Sequence, residues 1–345
     1  MCTQPDPRLP EFLRAHGFAG PSDQMRWTPL TGGVASDIWR VDINDTSLCV
    51  KCALPKLRVV RDWYAPTSRN SYEWAWMVFA HEQLPQSVPR PMAHDPELGA
   101  FAMAFLDEAT HPVWKSRLLA GHVDPGFARE VAARLGRLHA ASADAPAVAD
   151  AFPTDDIFYS IRLEPYLIAT GQSHPDLEPI LHKLAIDTLG THKALVHGDV
   201  SPKNILVGPS APVFLDAECA WYGDPAFDLA FCLNHFLLKC LPRPDRSDAL
   251  LRCFEAFTNA YLAKVDWEPA EDIESRAASL LPALFLARVD GKSPVEYVIA
   301  ESQKDLVRRT ARPLIARPRH RLHEIATAWH QTLTQETSGG RRAAP

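Results

Sequence analysis

The segment 196–206 constrains the fold of this chain more than any other part of the sequence. It reads Val-His-Gly-Asp-Val-Ser-Pro-Lys-Asn-Ile-Leu, so a polar stretch is held between short apolar runs at 195–196 and 205–207. The apolar runs predict two strands, and the polar stretch predicts a loop that is fixed at both of its ends. A further apolar run at 213–215 leads into Asp216 and predicts a returning hairpin strand.

Within the predicted loop, Asp199 and Asn204 have the residue types and the spacing that phosphoryl transfer needs. The reaction requires a carboxylate to orient, or to deprotonate, the attacking hydroxyl, and it requires oxygen ligands for Mg²⁺. An Asp followed five residues later by an Asn supplies both from one loop, which is the spacing of the kinase catalytic loop. An ordinary polar turn can carry the same residues, so this motif alone leaves both interpretations open.

Asp216 and Glu218 are the further candidate metal ligands. Asp216 stands twelve positions after Asn204, at the end of an apolar run, where a returning strand would bring its carboxylate back to the same Mg²⁺. A strand-ending Asp in a turn is common when it is taken alone. Its register with the first motif favours the metal role.

Lys51 stands in the middle of a predicted strand, between apolar neighbours. Because burying a lone ammonium group is costly, it needs anionic partners. A kinase offers two such partners, the ATP phosphates and a helix Glu. Glu73, near the start of the next predicted helix, is the candidate for this helix Glu, and Glu82 is the runner-up.

Gly32, Gly33 and Ser36 precede this strand in the stretch Thr-Gly-Gly-Val-Ala-Ser. Backbone amides at such a turn can cover phosphates, so these residues are candidates for binding ATP. The stretch is not a G-x-G-x-x-G sequence, and a plain β-turn is about equally consistent with it.

Three polar residues around the loop are predicted to support it. Asp224, before Pro225, predicts a helix N-cap with Pro at the first helical position. Asp228 is expected to brace the catalytic loop through hydrogen bonds, and His197 is expected to have a supporting role beside Asp199.

The order of predicted elements indicates an α+β fold with two lobes. We predict a loose lead-in over 1–27 with a short helix near 11–16, a small β-rich lobe over 28–106 and a large, mainly helical lobe over 107–335. A disordered tail is predicted for 336–345. The small lobe contains a β-hairpin around Asn44-Asp45 and one helix over about 70–84.

The composition of the chain argues against a nucleic-acid-binding protein and against a membrane-spanning protein. The net charge of -6 gives no electrostatic footprint for nucleic acid, and no apolar run approaches the ~20 residues needed to span a membrane. Seven cysteines without a secretory signal indicate reduced thiols, and the Cys49/Cys52 pair has no second pair that would complete a zinc site. We therefore expect a cytoplasmic protein without a nucleic-acid or membrane partner, and its oligomeric state stays open.

Taken together, these motifs resemble the aminoglycoside phosphotransferase and choline kinase family. The resemblance covers about residues 28–310. It implies a protein-kinase-like fold, ATP as co-substrate with Mg²⁺, a cleft between the lobes and a small hydroxylated acceptor. It also implies a hinge near 103–107 whose backbone meets the adenine, which makes Met103 and Phe105 candidates for ATP binding.

Within that family, the small lobe is most similar to methylthioribose kinase. The stretch Val-Lys-Cys-Ala-Leu-Pro at 50–55 carries part of this likeness, and Arg308 and Arg309 match the place of an Arg pair near the sugar. The sequence departs from that pattern at Lys203-Asn204, where those enzymes usually have Gly-Ser, and at 223–225, where this chain has a full Gly-Asp-Pro that those enzymes lack. These differences bear on which substrate is expected, and they do not change the predicted reaction.

Three functions are therefore weighed for this sequence. The first is a kinase of a small metabolite, such as a methylthioribose-like sugar, and the second is an aminoglycoside-resistance kinase. Polycationic acceptors need an acidic site, whereas residues 301–345 hold nine Lys or Arg against four acidic residues. The third is a catalytically silent pseudokinase, which would lack at least one of Lys51, Asp199, Asn204 and Asp216, and all four are present.

Overall fold

A five-stranded antiparallel sheet forms the small lobe. The structure is a computed structural model that describes residues 4–30, 36–54 and 66–342, with side chains up to residue 336. The strands are β1 (Met25–Pro29), β2 (Ser36–Ile43), β3 (Thr46–Ala53), β4 (Pro91–Asp95) and β5 (Ala100–Ala104). Their spatial order is β1-β2-β3-β5-β4, so β3 lies at the centre of the sheet.

The central hairpin follows directly from the sequence pattern. Strands β2 and β3 pair from Ser36 opposite Ala53 to Ile43 opposite Thr46. Asn44 adopts φ 51°, a left-handed conformation that Asn tolerates better than most residues, and this closes the turn. The hairpin predicted around Asn44-Asp45 is confirmed.

Two helices complete this lobe, α1 (Leu9–Ala15) and α2 (Arg69–Gln83). In α1, Leu9, Phe12 and Leu13 share one helix face and pack into the apolar core beneath the sheet. The sequence predicts a loose lead-in with a short helix near 11–16, and α1 lies at that place. Its packing makes the lead-in from Leu9 onward a component of the small lobe. Helix α2 corresponds to the helix predicted over 70–84.

The large lobe is mainly helical. Its helices are α3 (Trp114–Leu119), α4 (Pro125–Ser142), α5 (Pro146–Ala151), α6 (Asp155–Phe158), a π-helical segment (Tyr159–Ile168), α7 (Ala169–Ser173), α8 (Glu178–Leu189), α9 (Ala226–Lys239), α10 (Ser247–Leu262), α11 (Ala270–Asp290), α12 (Glu301–Ala316) and α13 (Leu322–Arg342). Every residue of α9 is buried, because α10 and α11 pack against it.

Two short antiparallel strand pairs lie between α8 and α9. One pairs β6 (Ala194–Val196) with β9 (Trp221–Gly223), and the other pairs β7 (Ile205–Val207) with β8 (Pro212–Phe214). The strands predicted at 195–196, 205–207 and 213–215 are these elements, so the polar loops at 197–204 and 215–220 are held at both ends.

The α+β, two-lobed architecture predicted from the sequence is confirmed, with one difference at the C-terminal end. Helix α13 runs to Arg342, into the segment for which the sequence predicts disorder. The six described cysteines are free thiols. Among the described residues, no helix is both long and apolar enough to cross a membrane.

Candidate active site

The two polar loops meet through hydrogen bonds between them. His197 donates from Nε2 to the carbonyl oxygen of Leu215 at 3.1 Å, and the amide of Leu215 donates to the carbonyl oxygen of Asn204 at 2.9 Å. Gly198 adopts φ 78°, and a Cβ at this position would lie 2.6 Å from the carbonyl oxygen of Cys219. Glycine is therefore required at 198 both for its backbone conformation and for the close approach of the loops.

Asp199 lies at the centre of the site, and two cations hold its carboxylate. Arg162 Nη2 is 2.9 Å and Lys203 Nζ is 3.1 Å from Asp199 Oδ2. Burial acts to raise the pKa of Asp199, but the charges of Lys203 and Arg162 outweigh it and lower the pKa below the ordinary value of 3.8. Asp199 is therefore ionised at neutral pH.

Asp228 holds the backbone of the catalytic loop, as the sequence predicts. Its carboxylate accepts the amides of His197 at 2.7 Å and Gly198 at 2.8 Å, and His139 Nε2 is 3.3 Å away. His197 in turn accepts the amide of Asp199 through Nδ1 at 3.1 Å. Burial lowers the pKa of His197, so the ring stays neutral and can donate through Nε2 while it accepts through Nδ1.

Asn204 points into the same site. Its Nδ2 donates to the carbonyl oxygen of Asp199 at 3.1 Å, which fixes the orientation of the amide group. With the nitrogen used in this bond, the amide oxygen is the atom left to serve as a cation ligand.

Lys51 of β3 joins the small lobe to the catalytic loops. Its Nζ is 2.7 Å from the Glu73 carboxylate of α2 and also forms an ion pair with Asp216. Burial raises the pKa of Glu73 to about 7, although the charge of Lys51 opposes this change. Burial likewise acts to raise the pKa of Asp216, but Lys51 and Lys203 lower it overall. The predicted Lys51 partner is thus Glu73 and not Glu82, which lies exposed near the end of α2.

Asp216 and Glu218 present two carboxylates at the same place. Asp216 adopts φ 68°, an uncommon conformation for a residue with a Cβ. Glu218 accepts a hydrogen bond from Arg69 Nε at 3.2 Å. Burial and the negative charge of Asp216 raise the pKa of Glu218, so a cation bound nearby would be favourable.

The donor set fits Mg²⁺ shared with a nucleotide. Among the described residues, no group of three or more His, Cys, Asp and Glu side chains forms a complete metal site. Mg²⁺ is typically held by one or two carboxylates together with substrate phosphates and water. Asp216 with Asn204, and with Glu218 as a third candidate, matches that requirement.

The remaining candidates for ATP binding lie in different parts of the small lobe. Met103 lines a small cavity between the lobes together with Met77 and Phe214. The Phe105 ring lies under the guanidinium of Arg40, 4.6 Å from its carbon to the ring centroid. Ser36 is buried at the start of β2, whereas Gly32 and Gly33 lie outside the described residues.

Asp224 lies one position before the N-cap of α9, which is Pro225, whereas the sequence predicts Asp224 itself as the N-cap. Its Oδ1 accepts the amide of Ala226 at the start of α9 at 3.0 Å, as a capping residue does. Arg276 of α11 donates to the same carboxylate at 3.0 Å from Nε, so Asp224 also links α9 to α11.

Arg308 and Arg309 form ion pairs with carboxylates other than Asp199. Arg308 Nη2 is 2.7 Å from Asp290 Oδ1 and also pairs with Glu301 and Asp305. Arg309, with 62% of its side chain exposed, pairs with Glu336 at 3.1 Å. These contacts link neither arginine to the catalytic loop.

Arg162 and Lys203 are site residues that the sequence analysis did not assign. Lys203 lies four residues after Asp199, within the recognised motif, so it could have been found as a candidate. Arg162 lies 37 residues before Asp199, in the π-helical segment, and no local pattern connects the two. Only the tertiary structure brings Arg162 to the site.

Comparison with known proteins gives matches over most of the chain. The family model described as the phosphotransferase enzyme family matches residues 26–273. The chain is 26% identical over 254 residues to the methylthioribose kinase of Enterobacter sp. (strain 638), covering 65% of this chain and 62% of that enzyme. It is also 26% identical over 307 residues to the methylthioribose kinase of Erwinia tasmaniensis, covering 76% and 73%. The chain thus spans less than two thirds of the first of these relatives.

Two solved structures share the fold. Spectinomycin phosphotransferase APH(9)-Ia, in complex with ADP and spectinomycin, gives a TM-score of 0.51 at 13% identity over 95% of this chain and 100% of that chain. Choline kinase from Cryptosporidium parvum Iowa II gives a TM-score of 0.50 at 16% identity over 85% and 90%. At these identities the likeness shows the fold alone.

Proposed function

The chain belongs to the phosphotransferase enzyme family, and we propose that it is an ATP-dependent kinase that phosphorylates a hydroxyl group of a small metabolite. The ion pair between Lys51 and Asp216 carries this proposal. It joins the central strand of the small lobe to the loop that follows β8, next to Asp199. A cation for phosphates, a metal ligand and a base for the acceptor therefore stand together between the lobes.

In the proposed reaction, Asp199 positions the acceptor hydroxyl and receives its proton. The hydroxyl oxygen forms a bond to the γ-phosphorus while the bond from that phosphorus to the bridging oxygen breaks, and ADP leaves. Arg162 and Lys203 hold the carboxylate in place from two sides. Asp228 keeps the loop rigid through two backbone amides.

Mg²⁺, when bound, would neutralise charge on the phosphates. Asn204 and Asp216 would hold it, with Glu218 as a further ligand. Lys51 would contribute a fixed positive charge to the phosphates, and Glu73 would hold its ammonium group in position.

For the acceptor, the relatives described above are methylthioribose kinases, so methylthioribose is the first neutral sugar to test. The proposed contact of Arg308 and Arg309 with the acceptor is testable in the same assay. If either arginine binds the acceptor, replacing it by Lys should raise the acceptor KM and leave ATP affinity unchanged, because Lys lacks the guanidinium fork. An unchanged acceptor KM in both variants would remove these residues from the site.

The function is tested by measuring acceptor-dependent ADP release. The panel should contain methylthioribose, other sugars, amino alcohols and kanamycin, each with wild-type protein and with Asp199→Ala. We expect turnover of at least one small hydroxylated compound, and a loss of kcat in Asp199→Ala of ~10²–10⁴-fold while ATP·Mg²⁺ binding persists. Near wild-type turnover in Asp199→Ala would overturn the assignment of Asp199. Kanamycin as the best acceptor would favour a resistance enzyme.

A further inference from the structure

The large lobe contains buried cationic side chains for which the proposed phosphoryl transfer gives no role. Lys239, the last residue of α9, is 1% exposed, and Arg288 of α11 is 9% exposed. His235 lies one turn before Lys239 and is 5% exposed. Among the residues that the structure describes, neither Lys239 nor Arg288 has a carboxylate partner; their contacts are with hydroxyl groups and a carbonyl group.

The hydrogen-bonding capacity of this cluster is incompletely used. Lys239 Nζ is 3.4 Å from the hydroxyl of Tyr297 and 4.9 Å from the centroid of its ring. Arg288 Nη1 donates to the hydroxyl of Tyr166 at 2.9 Å, while its Nε has no partner within the described part of the chain. The Nε2 atom of His235 is buried and likewise has none there.

The cluster adjoins the catalytic loop. The guanidinium carbons of Arg162 and Arg288 lie 5.9 and 5.6 Å from the centroid of the Tyr166 ring, so one aromatic ring separates Arg288 from the residue that holds Asp199. The charge of Lys203, the other partner of Asp199, also reaches His235. The cluster therefore lies close behind the side chains that hold Asp199, with the Tyr166 ring between Arg288 and Arg162.

The charge balance around the cluster is positive. Lys115 and Glu296 form an ion pair at 2.5 Å on its solvent side, where 64% of the Glu296 side chain is exposed. This pair is close to neutral as a unit, so Arg288, together with Lys239 when it is protonated, contributes an excess of positive charge. Burial, with the charge of Lys115 as a further cause, lowers the pKa of Lys239 to about 7, so its ammonium form lacks the anionic partner that would stabilise it. Burial and the charges of Lys239 and Arg288 hold the pKa of His235 well below its usual range.

Buried cations without anionic partners are costly, because desolvation is not repaid by an ion pair. A bound anion would supply the missing partner. We propose that Lys239, Arg288 and His235 bind an anionic group, a carboxylate or a phosphate, on the acceptor whose hydroxyl meets Asp199. This inference rests on the proposed kinase function and narrows the acceptor to a hydroxy acid or a phosphorylated polyol.

The chemistry of the three side chains suits such a group. A guanidinium offers a planar fork of donors that matches carboxylate and phosphate oxygens, and an ammonium group adds a point charge. A neutral imidazole can donate one hydrogen bond through Nε2. A neutral sugar would leave both charges unpaired, and a polycation would be repelled by them.

The first test measures anion binding without turnover. Inorganic phosphate and acetate are titrated into the protein by calorimetry, with and without a saturating non-hydrolysable ATP analogue and Mg²⁺. Three proteins are compared: wild type, Lys239→Met and Lys183→Met, a matched control at an exposed lysine paired with Asp187. We expect the dissociation constant to rise at least about tenfold in Lys239→Met and to stay unchanged in the control.

Lys239→Met should fold, because Met has a similar volume and carries no buried charge, and its cooperative unfolding can be checked directly. Arg288→Gln provides a second variant that keeps a donor and loses the charge. Equal anion affinity in wild type and both variants, or no anion binding by wild type, would overturn the proposed site. Phosphate binding without acetate binding would identify a phosphorylated acceptor, and acetate binding would identify a carboxylate as sufficient.

The second test measures ADP release with matched acceptors: D-glycerate against glycerol, D-gluconate against D-glucose, and ribose 5-phosphate against ribose. The anionic member of the preferred pair should have the higher kcat/KM, and Lys239→Met should raise its KM at least tenfold with ATP affinity unchanged. Preference for the neutral members would refute the anion site and leave the kinase function intact. Anion binding that depends on Lys239, without turnover of any acceptor, would refute the kinase function instead.

Discussion

The guanidinium of Arg162 lies 2.9 Å from the Asp199 carboxylate, and it also donates from Nε to the carbonyl oxygen of Gly198, the residue before Asp199. One side chain from the π-helical segment therefore fixes both the backbone and the carboxylate of the proposed catalytic residue. Arg162 is buried, so this contact is shielded from solvent. It identifies Arg162 as a positioning residue for Asp199.

Arg162→Gln should lower kcat and shift the pH profile. Arg162 helps to lower the pKa of Asp199 below 3.8, and the reaction needs the ionised carboxylate. Removing the positive charge raises this pKa, so the acid limb of the kcat profile should move to higher pH. The profile is measured by ADP release between pH 4 and 9.

Arg276→Gln is the control for this prediction. Arg276 also pairs with a buried carboxylate, that of Asp224, but at the start of α9. Its replacement should lower stability and leave the acid limb in place. An equal displacement of the acid limb in both variants would show that Arg162 acts only through overall stability.

Added Mg²⁺ should restore activity to a variant of one proposed metal ligand, Asn204, and not to a variant of the other, Asp216. Asp216→Ala should abolish activity, because it removes a carboxylate that also pairs with Lys51. Asn204→Ala should be partly rescued by raising Mg²⁺, since water can replace one neutral ligand. Activity is titrated against Mg²⁺ for both variants, and full wild-type activity in excess EDTA would contradict the scheme.

Gly198→Ala should destabilise the chain more than Gly17→Ala. Both glycines have φ near 78°, where a residue with a Cβ costs roughly 1–2 kcal/mol. No atom lies within 4 Å of a Cβ built at Gly17, whereas the Cβ at Gly198 would be 2.6 Å from the carbonyl oxygen of Cys219. The free energies of unfolding are measured in urea. If the two variants lose the same free energy of unfolding, the two loops separate easily at Gly198.

Glu73→Gln should change how stability depends on pH. Burial raises the pKa of Glu73 to about 7 from 4.5, so the folded chain retains a proton that the unfolded chain releases first. The stability this contributes is fully present below pH 4.5 and is lost as the pH rises through 7. The variant does not titrate at this position, so its free energy of unfolding should rise relative to wild type over that interval.

Denaturant unfolding at pH 4.5, 6 and 8 measures this difference. Glu82→Gln is the matched control, because Glu82 lies on the same helix and is exposed. The free energy of unfolding of Glu82→Gln should differ from that of wild type by the same amount at all three pH values. If the difference in free energy of unfolding between Glu73→Gln and wild type is also independent of pH, the pKa of Glu73 is not raised.

The sequence alone determined the parts of this protein in which local pattern and chemistry coincide. The apolar runs around 197–204 define the hairpin strands, and the spacing from Asp199 to Asn204 and Asp216 identifies the candidate reaction. Lys51 could be recognised because a lysine in a buried strand requires an anionic partner. Glu73 could be ranked above Glu82 only by its place near the start of the helix.

The tertiary structure decided which distant side chains meet. Arg162 reaches Asp199 because the π-helical segment packs beside the catalytic loop, and Arg288 reaches Tyr166 because α11 packs on that segment. Arg308 and Arg309 instead find carboxylates on their own side of the large lobe. Such contacts depend on helix packing between residues far apart in the chain, and local periodicity does not encode them. The proximity of Arg288 to the residues that hold Asp199 therefore becomes apparent only in the folded chain.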